Sequence, residues 1–268
     1  PGGSSANTIA GVSCLGGNSF LMGVVGKDDH GDIYEQKTKE SGVKTKLSRK
    51  HDKITGHAIT FITPDGERTF ATHLGAAVHF RKQHLAEDAI KQSKILHIEG
   101  YQLEDISIKS AVLHAMKIAK KNNVLVSVDL SDSALVSRNL PHFKNVIKNY
   151  VDIVFANELE AKAFTGKEEI QALNVLSKFC RISIVKLGEK GSLIKANNKI
   201  YKINANKVSV VNTNGAGDMY AAGILYSISN NIPMERAGKI ASYAASQVVS
   251  IEGARLQRSL KEEINTLK

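Results

Sequence analysis

From Lys94 onward the chain alternates short β-branched runs with longer amphipathic ones. Ile95 to Ile98, Val124 to Asp129, Ile153 to Ala156 and Ile182 to Leu187 are nearly continuous apolar stretches of strand length. Between them, Ile106 to Asn122, Ala134 to Tyr150 and Glu158 to Phe179 place their apolar residues at helical spacing, the last interrupted at Gly166. Strands apolar at successive positions suit a sheet covered on both faces. The alternation therefore predicts an α/β fold in three layers, with a mostly parallel central sheet. Gly42 to Gly75 behaves differently. His57 to Thr63 and Arg68 to Thr72 flank Pro64-Asp65-Gly66-Glu67, which has turn residues at favourable places, so a hairpin is expected. It reads as part of a small β lid over a site, formed mainly by residues 42–75, or as a hairpin packed on the domain edge.

Composition narrows the class. The chain has 268 residues, 42% of them hydrophobic, and no Pro-rich or low-complexity linker, which fits a single domain over 1–268 with an appendage. Cys14 and Cys180 lie far apart and read as reduced, buried thiols, so a cytoplasmic setting is expected. No apolar run approaches the roughly eighteen residues of a membrane span, and no signal peptide is visible. The formal charge is +10, but the lysines are scattered and no stacking aromatics interleave them. That distribution argues against nucleic acid. The nine histidines form neither His-Glu-x-x-His nor a Cys/His cluster, so a protein-ligated transition metal is not expected.

The most informative stretch is Asn212-Thr213-Asn214-Gly215-Ala216-Gly217-Asp218. It follows the apolar run Val208 to Val211, which reads as a strand, and precedes the small-residue run Met219 to Ser229, which reads as a helix. A chain turning through Gly-Ala-Gly into a helix aims backbone N–H groups at one place, and the helix dipole adds partial positive charge there. Asp218 in such a nest is a poor partner for phosphate but a suitable base for a hydroxyl attacking phosphate, so phosphoryl transfer is suggested. A glycine turn with Asp218 as an ordinary helix cap is the structural alternative.

This heptapeptide resembles the Asp-Thr-x-Gly-Ala-Gly-Asp signature of the ribokinase-like (PfkB) carbohydrate and nucleoside kinases. Further segments resemble the family in order along the chain. These are Gly2-Gly3-Ser4-Ser5-Ala6-Asn7, Val25-Gly26-Lys27-Asp28-Asp29-His30-Gly31, Asp65-Gly66-Glu67-Arg68-Thr69 with Leu74-Gly75-Ala76, Asn157-Glu158-Leu159-Glu160, and Lys186-Leu187-Gly188-Glu189-Lys190-Gly191. The resemblance implies a ribokinase-like fold and ATP-dependent phosphorylation of a primary hydroxyl. Asp218 would be the general base, and the amides of Gly215, Ala216 and Gly217 would stabilise the transferring group. It further implies that Gly2, Gly3 and Asn7 hold the acceptor, that Lys186, Gly188, Gly191 and Asn214 border the nucleotide, and that Asn157 and Glu160 help hold Mg²⁺ through water. Asn157 and Glu160 also fit a capping box, and the Lys186 to Gly191 glycines also fit a plain hairpin turn.

Two departures stand out. Asn212 occupies the place of a family Asp that helps bind a monovalent cation in some relatives; losing its charge predicts weak or absent K⁺ activation. The chain also starts at the Gly-Gly loop, without the strand that usually precedes it, so a missing first strand is expected. The motifs look closest to the adenosine-kinase-like and sugar-kinase branch. A ribosyl nucleoside such as adenosine is the first substrate reading, a free or phosphorylated sugar the second, and a non-catalytic sugar- or nucleotide-binding relative the third. A homodimer through the lid is an expectation by resemblance.

Overall fold

The computed structural model describes residues 1–62 and 68–267. The turn Pro64 to Glu67, and with it most of the Asp65 to Thr69 segment, lies outside them. The described residues form ten strands: β1 (Phe20–Gly26), β2 (Lys44–Lys50), β3 (His57–Ile62), β4 (Arg68–His73), β5 (Ile95–Glu99), β6 (Leu125–Asp129), β7 (Ile153–Asn157), β8 (Ile182–Lys186), β9 (Ser192–Ala196) and β10 (Lys199–Ile203). The central sheet runs β10-β9-β8-β7-β6-β5, with β5 through β8 parallel and β9 and β10 antiparallel at one edge.

Its parallel strands are mostly apolar on both faces because both faces are covered. In β7, Ile153 and Phe155 pack with Tyr220, Ile224, Ala237 and Ala241 from helices Ala216–Ser229 and Met234–Val249. The alternate residues, Val154 and Ala156, face Met116, Phe143, Phe164 and Leu173 from helices on the other side. The period of two along a strand thus sorts one apolar run into two cores. The helix Ile106–Lys121 is capped by Asp105, whose carboxylate accepts from the Ser107 and Ile108 amides at 2.8 and 3.0 Å. The expected long helix Ala134 to Tyr150 is two, Ser133–Arg138 and Leu140–Tyr150, because Pro141 in the first turn favours a fresh start after Asn139. The break at Gly166 is present, with that residue in the left-handed conformation that ends Glu158–Thr165.

The stretch 42–75 divides between two sheets. β2 pairs in parallel with β1, and only β3 and β4 form the antiparallel hairpin. Ile59, Phe61 and Phe70 on that hairpin are all exposed. The run Val208 to Val211 is not a strand: it is irregular and exposed, and the Val211 and Asn212 amides donate to the Val249 carbonyl instead of to a sheet neighbour. The run does not add to the outer edge of β10, which ends the sheet. Cys14 and Cys180 are free and only partly buried. Among the described residues no helix is long and apolar enough to cross a membrane.

Candidate active site

Parallel strands bring their C-terminal ends to one edge of a sheet, and each of β5 to β8 ends there in a polar side chain: Glu99, Asp129, Asn157 and Lys186. The ladders fix their order, with Glu99 opposite Asp129 and Asn157 opposite Lys186. Lys186 Nζ donates to Asp129 Oδ2 at 2.5 Å; Asp129 is buried and Lys186 largely so. Glu99 accepts from Ser131 Oγ at 2.7 Å and lies 3.1 Å from His97 Nε2. Burial works against the Lys186 charge, but Asp129 and Glu160 outweigh it and hold the ammonium above the ordinary lysine value. Burial, reinforced by Asp129, pushes Glu160 up to about 7. One permanent cation therefore sits among three carboxylates in a low-dielectric cluster.

Asp218 lies across from this cluster, in the first turn of the helix Ala216–Ser229. Gly215 precedes that helix at φ +77, and a Cβ there would meet the Ala254 carbonyl oxygen at 2.5 Å, so the turn requires glycine. The Ala216 amide bonds back to the Thr213 carbonyl at 3.3 Å, so of the three turn amides expected to face a phosphate this one is turned inward. Gly217 faces the strand ends, where a Cβ would stand 3.2 Å from Lys186 Nζ. Asp218 itself is partly buried. Burial and then the Glu99 carboxylate push it up to about 6, against the opposing pull of a hydrogen bond from Asn7.

At the other end, Gly3 precedes the helix Ser4–Cys14 at φ 93, and a side chain at Gly2 would meet open space. Asn7 differs from the expected free acceptor-binding amide. Its Nδ2 donates to Asp218 Oδ2 at 2.8 Å, and its Oδ1 accepts from Arg255 Nε at 2.8 Å. Both ends of the amide are thus engaged by the protein.

Asn157 and Glu160 form the capping box of the helix Glu158–Thr165. Asn157 Oδ1 accepts from the Glu160 amide at 2.8 Å, while Glu160 Oε2 and Oε1 accept from the Asn157 amide and Nδ2 at 2.8 and 2.7 Å. With both carboxylate oxygens so engaged, the pair fits contact to Mg²⁺ through its retained water better than direct ligation. Gly188 and Gly191 bracket the turn between β8 and β9. Gly191 is required there by the backbone, since at φ +93 a Cβ would fall 1.9 Å from the Ile203 carbonyl oxygen. The hairpin reading of these glycines therefore holds, and Lys186 is the member of that motif that reaches the cluster. Asn212 Nδ2 donates to the Gly253 carbonyl at 3.2 Å and its Oδ1 accepts from the Asn214 amide at 2.8 Å.

Sequence reasoning did not single out Glu99, Asp129, Tyr34 or Arg255. Asp129 had a usable signal, an acidic residue closing an apolar strand run, and Glu99 immediately follows another. Arg255 had none: it meets Asn7 across a sequence separation of 248.

Similarity to known proteins decides what this arrangement belongs to. The family described as pfkB family carbohydrate kinase matches residues 1–260. The chain belongs to the pfkB family. An adenosine kinase structure from Sinorhizobium meliloti superposes with a TM-score of 0.94 at 34% identity, covering 100% of this chain and 83% of that one. The 5-dehydro-2-deoxygluconokinase of Listeria monocytogenes is 26% identical over 278 residues, 99% of this chain and 86% of its own. Fructokinase-1 of Oryza sativa is 29% identical over 286 residues, 100% of this chain and 87% of its own. This pfkB chain is therefore a kinase, a phosphotransferase acting on a small-molecule sugar or nucleoside, with the ribokinase-like fold.

Proposed function

We propose that the chain transfers the terminal phosphoryl group of Mg·ATP to a primary hydroxyl of its acceptor, with Asp218 as general base. The observation that carries this reading is the placement of Asp218. It is partly buried in the first turn of a helix behind a glycine turn, with a carboxylate oxygen fixed by Asn7 and the Lys186 ammonium among the charges that act on it. A base held near pH 6 is ionised at neutral pH yet basic enough to accept a proton from an alcohol as it attacks. Gly215 and Gly217 border the transferring group, and their amides, with the helix dipole, stabilise charge that spreads onto its oxygens. Gly2 and Gly3 let the acceptor approach the backbone closely. Mg²⁺, when bound, neutralises phosphate charge, and Asn157 and Glu160 hold its water. Gly188, Gly191 and Asn214 border the nucleotide. The hairpin β3–β4 covers the acceptor and excludes water, and its exposed Ile59, Phe61 and Phe70 suit pairing with a second copy.

The acceptor is a ribosyl nucleoside such as adenosine, a reading supported by the 34% identity to the adenosine kinase. A free sugar or sugar acid is the second reading, supported by the fructokinase and the 5-dehydro-2-deoxygluconokinase. ADP release from Mg·ATP measured across adenosine, ribose, fructose and 5-dehydro-2-deoxygluconate separates them. Asp218→Asn is expected to lower turnover on the preferred acceptor at least about 1000-fold while calorimetric ATP affinity stays unchanged. Wild-type turnover in that variant, or no ADP release with any acceptor, overturns the reading.

Monovalent cations are expected to matter little. The Asn212 amide donates to the Gly253 carbonyl, an oxygen that a cation would otherwise claim, and brings no negative charge. Replacing K⁺ by choline in the same assay is expected to leave the rate unchanged; a steep K⁺ dependence contradicts this.

A further inference from the structure

Arg255 is a buried arginine joined to the base by one intervening side chain. It is 8% exposed, its Nε donates to Asn7 Oδ1 at 2.8 Å, and its Nη2 donates to the Gly2 carbonyl at 3.1 Å. Nη1 is enclosed and has no hydrogen-bond partner among the described residues. The Tyr34 hydroxyl, its ionisation pushed further up by burial, lies against the guanidinium. A buried charge that leaves one donor unpaired is held at a cost to folding, so its place calls for a reason other than stability.

We infer that Arg255 is a positioning residue for the phosphoryl-transfer base: it locks the Asn7 amide in the one orientation that donates to Asp218. Guanidinium nitrogens only donate, so the Asn7 atom facing Nε must be the carbonyl oxygen. That choice leaves Nδ2 for Asp218 Oδ2. A flipped amide would set donor against donor at Arg255 and acceptor against acceptor at Asp218. Asn7 is only 8% exposed, so water would not repair either contact. Because the donated bond favours the ionised carboxylate, the lock keeps Asp218 available as a base at lower pH.

Every charged neighbour of Asp218 bears on this. Glu99 at the end of β5 and Asp129 at the end of β6 disfavour its ionisation, Lys186 at the end of β8 favours it, and Arg255 adds positive charge from the far side of Asn7, with Tyr34 from the helix Asp29–Glu40 behind it. Arg255 therefore acts either through space, by its charge, or through Asn7, by fixing the amide. The geometry favours the second route, and the two are separable. In Arg255→Gln the side-chain nitrogen sits the same number of bonds from Cα as arginine Nε, so the donor to Asn7 is kept and the charge is removed. Arg255→Met removes both.

The inference rests on Asp218 being the base, and its test reads Asp218 with or without turnover. The ¹³C-carboxyl resonance of Asp218, assigned by its loss in Asp218→Asn, is titrated in each variant without substrate. Arg255→Met and Asn7→Leu are each expected to raise the midpoint by about one pH unit, a tenfold change in the ionisation equilibrium. Arg255→Gln is expected to stay within about 0.3 unit of wild type. Adding Arg255→Met to Asn7→Leu is expected to give no further shift. In the kinase assay the acid limb moves with the midpoint, so Arg255→Met loses about fivefold at pH 6 and almost nothing at pH 8.5. Equal shifts in Arg255→Gln and Arg255→Met, additive shifts in the double variant, or a folded Arg255→Met with an unmoved midpoint would each overturn the lock. If Arg255→Met does not fold, the comparison of Arg255→Gln with Asn7→Leu decides: a shift in the second alone supports the lock, and equal shifts refute it. Titrations that behave as expected in a protein that releases no ADP would leave the lock standing and remove the kinase reading.

Discussion

Asp218 stands between two polar clusters built in opposite ways. Glu99, Asp129, Asn157 and Lys186 come from the ends of four neighbouring strands, so backbone ladders set their spacing before any side chain interacts. Asn7, Tyr34 and Arg255 come from distant parts of the chain, and hydrogen bonds spanning 211 and 248 residues hold Asn7 to Asp218 and Arg255 to Asn7. The first cluster is preorganised by the sheet; the second exists only once the two ends of the domain have closed on each other. Damage to the strand ends should therefore appear in stability and function together. Damage to the terminal cluster should appear chiefly in function, because few buried backbone bonds depend on it.

The largest effect expected at the strand ends is from Lys186→Met. It leaves Asp129 buried without its 2.5 Å partner, beside Glu99 and Glu160. Breaking a buried pair from one side costs about 3–5 kcal/mol, measurable as a loss in denaturant unfolding at pH 7.5. Adding Asp129→Asn should recover most of it. If the single variant unfolds like wild type, the cluster is not acting as a charge-balanced unit.

Asp218 is expected to show the reverse sign. Its folded value of about 6 lies above the ordinary 3.8, so folding favours its protonated form. The stability this gives is complete below pH 3.8 and is lost as pH rises through about 6. Asp218→Asn keeps a neutral group throughout and retains an oxygen for Asn7 Nδ2. It should stabilise the fold by about 1–3 kcal/mol above pH 7, with the gain vanishing toward pH 4, while turnover collapses. A gain that is flat across pH would show that the carboxylate charge is not its source.

The sequence carried the central sheet and the strand-end half of the site more legibly than the terminal half. Apolar runs such as Ile153 to Ala156 mark a strand locally, and once strands are parallel their ends must meet, so Asn157, Glu160 and Lys186 could be placed from motif and pattern. The Gly215 to Asp218 turn was legible for the same local reason, although the strand expected before it failed. Val208 to Val211 has strand propensity, but its Val211 amide is taken by the Val249 carbonyl and the run stays exposed, so tertiary context decided against a strand. The bonds of Asn7 to Asp218 and Arg255 were not legible, because what an amide meets depends on what the rest of the chain brings beside it. Arg255, in Gly253-Ala254-Arg255, shows no periodicity and no motif that separates a buried arginine from a surface one.

Lys162 provides the smallest prediction and the control for the largest. Its Nζ lies 2.6 Å from Glu168 Oε1, almost the separation of Lys186 and Asp129, yet the side chains are 59% and 71% exposed against 16% and 7%. Distance alone would rate the two pairs alike. In water the exposed pair gains little Coulomb energy, is screened by salt, and must hold two mobile side chains in register. In the interior neither charge can recover hydration when its partner leaves. Lys162→Ala should therefore give an unfolding curve indistinguishable from wild type at 0.15 M salt, and turnover should not change. A clear loss of stability there would mean that pair geometry outweighs environment in this protein, and the large effect expected at Lys186 could no longer be attributed to burial.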